Sequence, residues 1–262
     1  HPDFKAPENP DAKIWRYMNL AKFLSMLEGQ SLYFSRLDVL AEKDPYEGLY
    51  TNLNARALDL KYADLPKEAW EQRGIDSEET WAQIRDLEEK SRGFVKVQRQ
   101  MSFANSWCVS EHESAAMWPL YIEGSEGIAV QSTYNHLVEC IKKYDEFNIF
   151  IGKIRYMDYN TEVIPVGQLL LPLITKRKSF EHEIELRALI WTLQHGKNKI
   201  VDNKFASTLG LSVPVDLDVL IEKIYVSPEA PDWLLILIQA MVDRFQLDKP
   251  VKQSDLASDP LY

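Results

Sequence analysis

Residues 176–191 read KRKSFEHEIELRALIW and hold the side chains best suited to chemistry. Taken with a period of two, Glu181, Glu183, Glu185 and Arg187 share one face of a strand, and His182, Ile184, Leu186, Ala188 and Ile190 share the other. Three carboxylates in a row repel unless something positive lies opposite. Lys176, Arg177, Lys178, a ligand or a metal could supply it. Phe180, Ile184, Ala188 and Trp191 also fit a helical stripe, but the alternation favours a strand. Asp44-Pro-Tyr-Glu-Gly48 has the residues of a tight turn, and its Asp44 and Glu47 could line a pocket. Trp107, Trp118 and Tyr121 could stack on a base or a nicotinamide ring, although aromatic side chains also fill cores.

The elements that must position these groups are legible in outline. Ile14–Met18 reads as a strand. Asn19 caps a helix whose Leu20, Phe23, Leu24 and Leu27 share a face. Ser31–Arg36 alternates as a strand. Residues 49–100 read as an inserted helical segment, with Asp76 and Glu79 as a capping box and Trp81, Ile84 and Leu87 as its stripe. Met101–Ser110 is a strand with Ser102, Ala104, Ser106, Cys108 and Ser110 on one side. Gly127–Thr133 is another, and Thr133 can cap the helix after it. Phe147–Tyr156, the Glu-rich run and Lys223–Ser227 supply more strands, with a turn at His195-Gly-Lys-Asn198. Pro231 opens a last helix that should turn Trp233, Ile236, Leu237 and Ala240 inward. The expected fold is a single α+β domain over residues 1–262. Its sheet is mixed and mostly antiparallel, flanked by helices, with the insertion at 49–100.

Composition narrows the function. The chain has 262 residues, 45% hydrophobic and 11% aromatic, enough for a substantial core. Its net charge of −10 argues against an extended nucleic-acid surface. Two cysteines, Cys108 and Cys140, fit free thiols in a reducing compartment. No apolar run reaches membrane-spanning length and no signal peptide is visible, so a cytoplasmic protein with no membrane partner is expected. The chain lacks GxxxxGK, GxGxxG, HExxH and GxSxG motifs. His112 and His182 stand alone among carboxylates, too few for a zinc site. No metal is therefore assigned.

Three blocks carry a family resemblance: Asp44-Pro-Tyr-Glu-Gly48; Met117-Trp118 with Tyr121 and Gly127; and Phe180 with Glu183-x-Glu185-x-Arg187. In this order they resemble the bacterial domain-of-unknown-function family 2971, over about residues 15–230. The resemblance implies an intracellular bacterial protein, some of whose relatives sit near phage-defence genes, and it implies no activity. A second resemblance is to ADP-ribosyltransferases of the Arg–Ser–Glu type. It implies Arg16 as the phosphate-binding Arg and Glu183-x-Glu185 as the acidic element, with Glu185 catalytic and Glu183 its helper. Ser102 and Ser106, or Ser132-Thr133, would fill the middle role. The chain has no Ser-Thr-Ser run, and both segments stay open. The chemistry is coherent: Arg forks onto a pyrophosphate, and a carboxylate stabilises a cationic sugar as nicotinamide leaves.

The expectation is a nucleotide-type ligand cleft lined by Arg16, Ser102, Ser106, Trp107, Trp118, Tyr121 and Arg187. NAD is its candidate substrate, for ADP-ribosyl transfer or NAD cleavage, and no cofactor or protein partner is identified. Two alternatives stand beside it: a non-catalytic sensor or interaction module of a phage-defence or stress system, and a metal-dependent nuclease using Asp44, Glu183 and Glu185.

Overall fold

A computed structural model describes residues 1–57, 59–64, 74–165, 167–192, 207–258 and 260; the turn at 195–198 lies outside them. The chain opens with strand β1 (Lys13–Asn19), helix α1 (Leu20–Gly29) and β2 (Ser31–Arg36). Asn19 caps α1 by accepting from the Lys22 amide, and Gln30 ends it in the left-handed region. Helices α2 (Leu37–Leu40), α3 (Asn52–Ala57) and α4 (Glu78–Gln100) follow. The cap of α4 is Ser77, whose hydroxyl accepts from the Thr80 amide, one residue beyond the Asp76 expected. Trp81 is buried in its stripe, but Leu87 is exposed.

The second half supplies β3 (Ser102–Val109), α5 (Met117–Tyr121), β4 (Gly127–Thr133), α6 (Tyr134–Ile141), β5 (Ile149–Lys153) and β6 (Arg155–Met157). Then come β7 (Thr175–Arg177), β8 (Glu185–Trp191), β9 (Gly210–Pro214), α7 (Leu217–Leu220), β10 (Lys223–Val226), α8 (Asp232–Arg244) and β11 (Val251–Gln253). The fold is α+β. One mixed, mostly antiparallel sheet runs β11-β10-β4-β1-β3-β2-β9, with β8 beside β3 and β5 beside β8. Among the described residues only β10 and β11 pair in parallel within it, and β6 and β7 form a separate parallel pair.

The middle of this sheet forks. Strand β8 runs along one edge of β3 from Ser102 to Cys108. The other edge is shared by two strands: β1 pairs at Val109 and Cys108, and β2 pairs at Ala104 and Phe103. Between them, residues 105–107 of β3 face side chains in place of a strand. Asn105 donates to the Tyr33 carbonyl at 2.9 Å, and Arg16 donates to the Ser106 carbonyl at 2.7 Å. A side chain thus satisfies a backbone acceptor that the ladder leaves free.

The alternation of β3 and β8 separates two environments. Phe103, Trp107, Leu186, Ala188 and Ile190 face the main core, against Phe23 and Leu27 of α1, Leu137 of α6 and Leu234, Ile238 and Val242 of α8. The opposite face carries two smaller apolar clusters. Ala104 and Leu189 join the one built on Met157, Ile164 and Leu173, and Cys108 joins the one built on Trp15, Tyr17 and Trp118. Ser106, Glu185 and Arg187 lie between them as a polar belt. Cys108 is free, and burial pushes its thiol up to about 11, consistent with an unreactive core residue.

Two expectations are overturned here. Helix α8 buries Leu234, Ile238 and Val242, and Trp233, Ile236 and Leu237 face outward. The helix is apolar on two sides, so its periodicity does not decide which side turns in. The run 176–191 is not one strand. Lys178–Glu183 forms a 3-10 turn, Ile184 takes a left-handed conformation, and the strand starts only at Glu185. His182 and Glu181 are exposed, and Ile184 points out instead of packing with Leu186.

Candidate functional site

The belt is an ion cluster under the fork. Arg187 is fully buried on β8, and three acceptors surround it. Its Nε donates to Glu185 Oε1 at 2.8 Å, and its Nη1 donates to Glu47 Oε1 at 2.6 Å and to the Leu173 carbonyl at 2.7 Å. Glu47 arrives from the Asp44–Gly48 turn. That turn is closed by the Glu47 amide on the Asp44 carbonyl and by the Tyr46 amide on the Asp44 side chain, and Gly48 supplies a positive φ of 71° after it. It is at once a tight turn and a source of two buried carboxylates, since Asp44 pairs with Arg177 at 2.7 Å.

Lys176, from β7, holds the rest together. Its ammonium lies 2.5 Å from Glu183, 2.9 Å from Glu185 and 3.8 Å from Glu47. Burial opposes the charged ammonium, but Glu185 and Glu47 outweigh it and hold Lys176 protonated. Glu185 is the hub. Oε1 accepts from the Ser106 hydroxyl at 2.5 Å as well as from Arg187, and Oε2 meets Lys176. Burial alone would raise its pKa; Arg187 and Lys176 reverse that and hold it down at about 2. The Glu185 amide donates to the Tyr156 hydroxyl at 2.8 Å, which fixes the strand start.

Arg16 differs from the other cations. It lies over the Trp107 ring at 6.0 Å and donates to the Ser106 carbonyl. No carboxylate comes within ion-pairing distance of it among the described residues. Arg16 is half-buried, and burial lowers its pKa to about 10, with Tyr121 and Glu185 opposing. It remains cationic at neutral pH with donors to spare. Tyr121, partly exposed at the end of α5, lies close enough to feel Glu183, Glu185, Lys176 and Arg16. Burial keeps its phenol protonated, and Lys43 sits 5.5 Å over its ring.

The sequence-assigned residues separate as follows. Ser106, Glu183, Glu185 and Arg187 converge; Arg16 reaches this group through the Ser106 carbonyl, and Tyr121 lies close enough to feel its charges. Ser102 does not join them: its hydroxyl donates to the Gln98 carbonyl at 2.7 Å. Ser132 donates to the Leu220 carbonyl and Thr133 caps α6, so both hydroxyls serve the fold. Trp107 and Trp118 do not flank an opening. Trp107 is packed in the main core with its Nε1 on Asn105, and Trp118 packs edge-on to Tyr17 with its Nε1 on Glu113. The small residues of β3 leave no space there, because Glu185, Arg187 and the clusters beside them fill that face. Glu183 and Glu185 meet Lys176 as their close cation; Arg36 pairs with Asp38, and Glu181 is exposed. Glu47 was legible as a turn residue that could line a pocket, but not as a partner of Arg187. Lys176 stood out only as one of three basic neighbours, and Tyr156 left no signal at all.

The three carboxylates of the nuclease alternative are each held by a cation: Asp44 by Arg177, and Glu183 and Glu185 by Lys176. An ammonium at 2.5–2.9 Å repels a metal ion. Among the described residues no group of three or more His, Cys, Asp or Glu is placed to hold a metal. An open groove of about 550 Å³ lies elsewhere, lined by Lys13, His136, Glu222 and Lys249 among others. Its Lys13 is engaged by Glu222 and its Lys249 by the Asp218 carbonyl.

Ile184 stands at the edge of the cluster with φ 41° and ψ 50°, and its side chain is 51% exposed. A β-branched residue in this region is strained by about 1–2 kcal/mol and recovers little through burial here. Such outliers gather at functional positions. Ile184→Gly is therefore expected to stabilise the protein by about 1 kcal/mol, raising Tm by about 2–4 °C. Calorimetry checks this, and an unchanged or lower Tm would show that the Ile184 side chain holds the turn by packing.

Among the described residues no helix is long and apolar enough to cross a membrane. No family model matches the chain, and neither a curated protein nor a solved structure matches it.

Proposed function

We propose that the fork where β1 and β2 part along one edge of β3 is a nucleotide-type ligand site, and that its chemistry is NAD cleavage or NAD-dependent ADP-ribosyl transfer. One observation carries this reading. Arg16, Ser106 and Glu185 lie far apart in sequence, on neighbouring strands, and meet at Ser106: Arg16 donates to its carbonyl, and its hydroxyl donates to Glu185. A cation with spare donors thus lies near a carboxylate held anionic.

Arg16 binds the pyrophosphate through its remaining donors. Tyr121, exposed at the end of α5, offers a ring and a phenolic donor. Glu185 carries its negative charge toward the ribose. As the bond from ribose C1′ to the nicotinamide nitrogen breaks, its electron pair leaves with nicotinamide and positive charge builds on the sugar, which the carboxylate stabilises. Water or an acceptor nucleophile then bonds to C1′ and loses its proton to solvent. Ser106 positions Glu185 and does not itself react.

A second reading also has an observation behind it. Both oxygens of Glu185 are already occupied, by Ser106 and Arg187 on one and Lys176 on the other. A purely structural ion cluster would look the same, and the protein would then be a non-catalytic module. Incubating the purified protein with NAD, with and without cell extract, separates the two. The enzyme reading expects free nicotinamide and a rise in Tm with NAD. No nicotinamide and no Tm shift at about 1 mM NAD, the upper end of common KM values, would overturn it.

A further inference from the structure

The groove of about 550 Å³ lies at the end of the sheet where β1 and β10 begin and β4 runs into α6. Lys13 opens β1, Lys223 opens β10, His136 stands in the first turn of α6 and Lys249 precedes β11, and all four line the groove. None of Arg16, Ser106, Glu185 and Tyr121 does. Lysine side chains mostly stand in water, but these three are half-buried, and so is the imidazole. A basic lining stands out in a chain with a net charge of −10.

The protein satisfies this lining only in part. Both oxygens of Glu222 accept from the Lys13 ammonium, at 2.9 and 2.8 Å, and neutralise it. Lys249 donates to a neutral acceptor, the Asp218 carbonyl at 2.6 Å, so its charge is not cancelled. Among the described residues the Lys223 ammonium makes no ion pair and no hydrogen bond. His136 Nδ1 is buried, and it too has no hydrogen-bond partner among the described residues. The acidic side is smaller. The Asp218 carboxylate lines the groove unpaired, whereas Asp248 does not line it and Asp216 caps α7. Two uncancelled ammoniums against one carboxylate leave the lining positive before His136 is counted. A metal ion fits poorly, since Glu222 is taken by Lys13 and the ammoniums repel it. Spare donors on Lys223 and Lys249, with an imidazole nitrogen beside them, suit an anion rich in acceptors.

We propose that this groove binds a phosphate oxyanion, free or as the phosphomonoester of a small hydroxylated molecule. Lys223, Lys249 and His136 hold the phosphate oxygens. The groove is larger than phosphate alone requires and lies in the range of small-molecule sites. In the phosphomonoester, the Asp218 carboxylate accepts from the hydroxyls, and Val219 and Ile221 give them an apolar wall. This site is independent of the proposed NAD chemistry.

Titration of the full chain at low ionic strength, followed by the His136 ring signals in NMR, tests it. The probes are inorganic phosphate, glucose 6-phosphate and glucose, and His136→Gln assigns the signals. Inorganic phosphate should move the His136 signals with a Kd of about 1 mM, and glucose should not. A glucose 6-phosphate Kd about tenfold lower assigns the phosphomonoester, and equal values assign free phosphate. Lys223→Gln combined with Lys249→Gln should weaken phosphate binding about tenfold or more, because two charge-assisted donors are lost. Lys223→Gln alone breaks no contact within the protein, so it should bind more weakly at an unchanged Tm. Arg16→Ala should leave phosphate binding here as it was. No movement of the His136 signals up to about 20 mM phosphate, well above the expected Kd, overturns the proposal. So does binding that the double variant retains, or binding that Arg16→Ala abolishes.

Discussion

Arg187→Met is expected to destabilise the protein by about 3–5 kcal/mol at neutral pH, the usual cost of removing one partner from a buried ion pair. Arg187 is fully buried and serves Glu185, Glu47 and the Leu173 carbonyl at once. Without it three buried carboxylates, Glu47, Glu183 and Glu185, share Lys176, which lies 3.8 Å from Glu47, and the Leu173 carbonyl loses its donor. Adding Glu47→Gln and Glu185→Gln should recover much of the loss, because the remaining cost comes from stranded charge more than from a missing attraction. Arg187→Lys should fall between, keeping the charge and losing the fork.

The pH dependence has a definite sign. Glu185 sits at about 2 in the folded chain, below the 4.5 of a free Glu. Its ionisation therefore stabilises the fold fully above about 4.5, and that contribution fades as pH falls through about 2. In Arg187→Met the balance shifts toward burial, which raises the carboxyl pKa and favours the protonated form. The gap between wild type and variant should thus narrow on acidification. Urea unfolding at about pH 7 and about pH 3 measures both effects. A loss below about 1 kcal/mol at the higher pH would show that the cluster is solvated and weakly coupled.

Why some of this was legible in the sequence and some was not follows from what each signal encodes. The strands β1, β2 and β4 announced themselves by alternation bounded by Asn19, Gly29 and Thr133, which are local signals. Arg16, Ser106 and Glu185 were singled out by type and order through the resemblance to Arg–Ser–Glu ADP-ribosyltransferases, whereas the need of a carboxylate-rich run for a cation pointed to Lys176, Arg177 and Lys178. That they share one fork depends on β1 and β2 dividing a single edge of β3, a long-range pairing that no local pattern encodes. The Glu-rich run misled for a physical reason. Alternating Glu and apolar residues look like a strand, yet the chain makes a 3-10 turn and inverts at Ile184 before the strand begins. The inversion lets Glu183 reach the same ammonium as Glu185 from a different element. The pairing of Glu47 with Arg187 and the role of Tyr156 were hidden because their partners lie 140 and 29 residues away. Helix α8 misled through having two apolar sides, and only the packed core decides between them.

Glu185→Gln is the variant expected to affect catalysis most. It keeps the shape of the side chain and removes the charge that the sugar cation would meet. Loss of one such electrostatic group commonly costs about 100-fold or more in kcat, so nicotinamide release should fall by at least that factor while the Kd for NAD stays nearly unchanged. The amide can still accept from Ser106, but it weakens the pairs with Arg187 and Lys176, so a melt must accompany the assay. Arg16→Ala should do the opposite. Its role is a ground-state contact with phosphate, and among the described residues it makes no ion pair that holds the fold, so Kd and KM should rise with kcat little changed. The split between the two variants is the discriminating result. A structural role for Glu185 lowers Tm and scales activity with the folded fraction; a chemical role lowers kcat in protein that is still folded at the assay temperature. If both variants lose activity only in proportion to unfolding, the belt is a scaffold and the non-catalytic module becomes the better account.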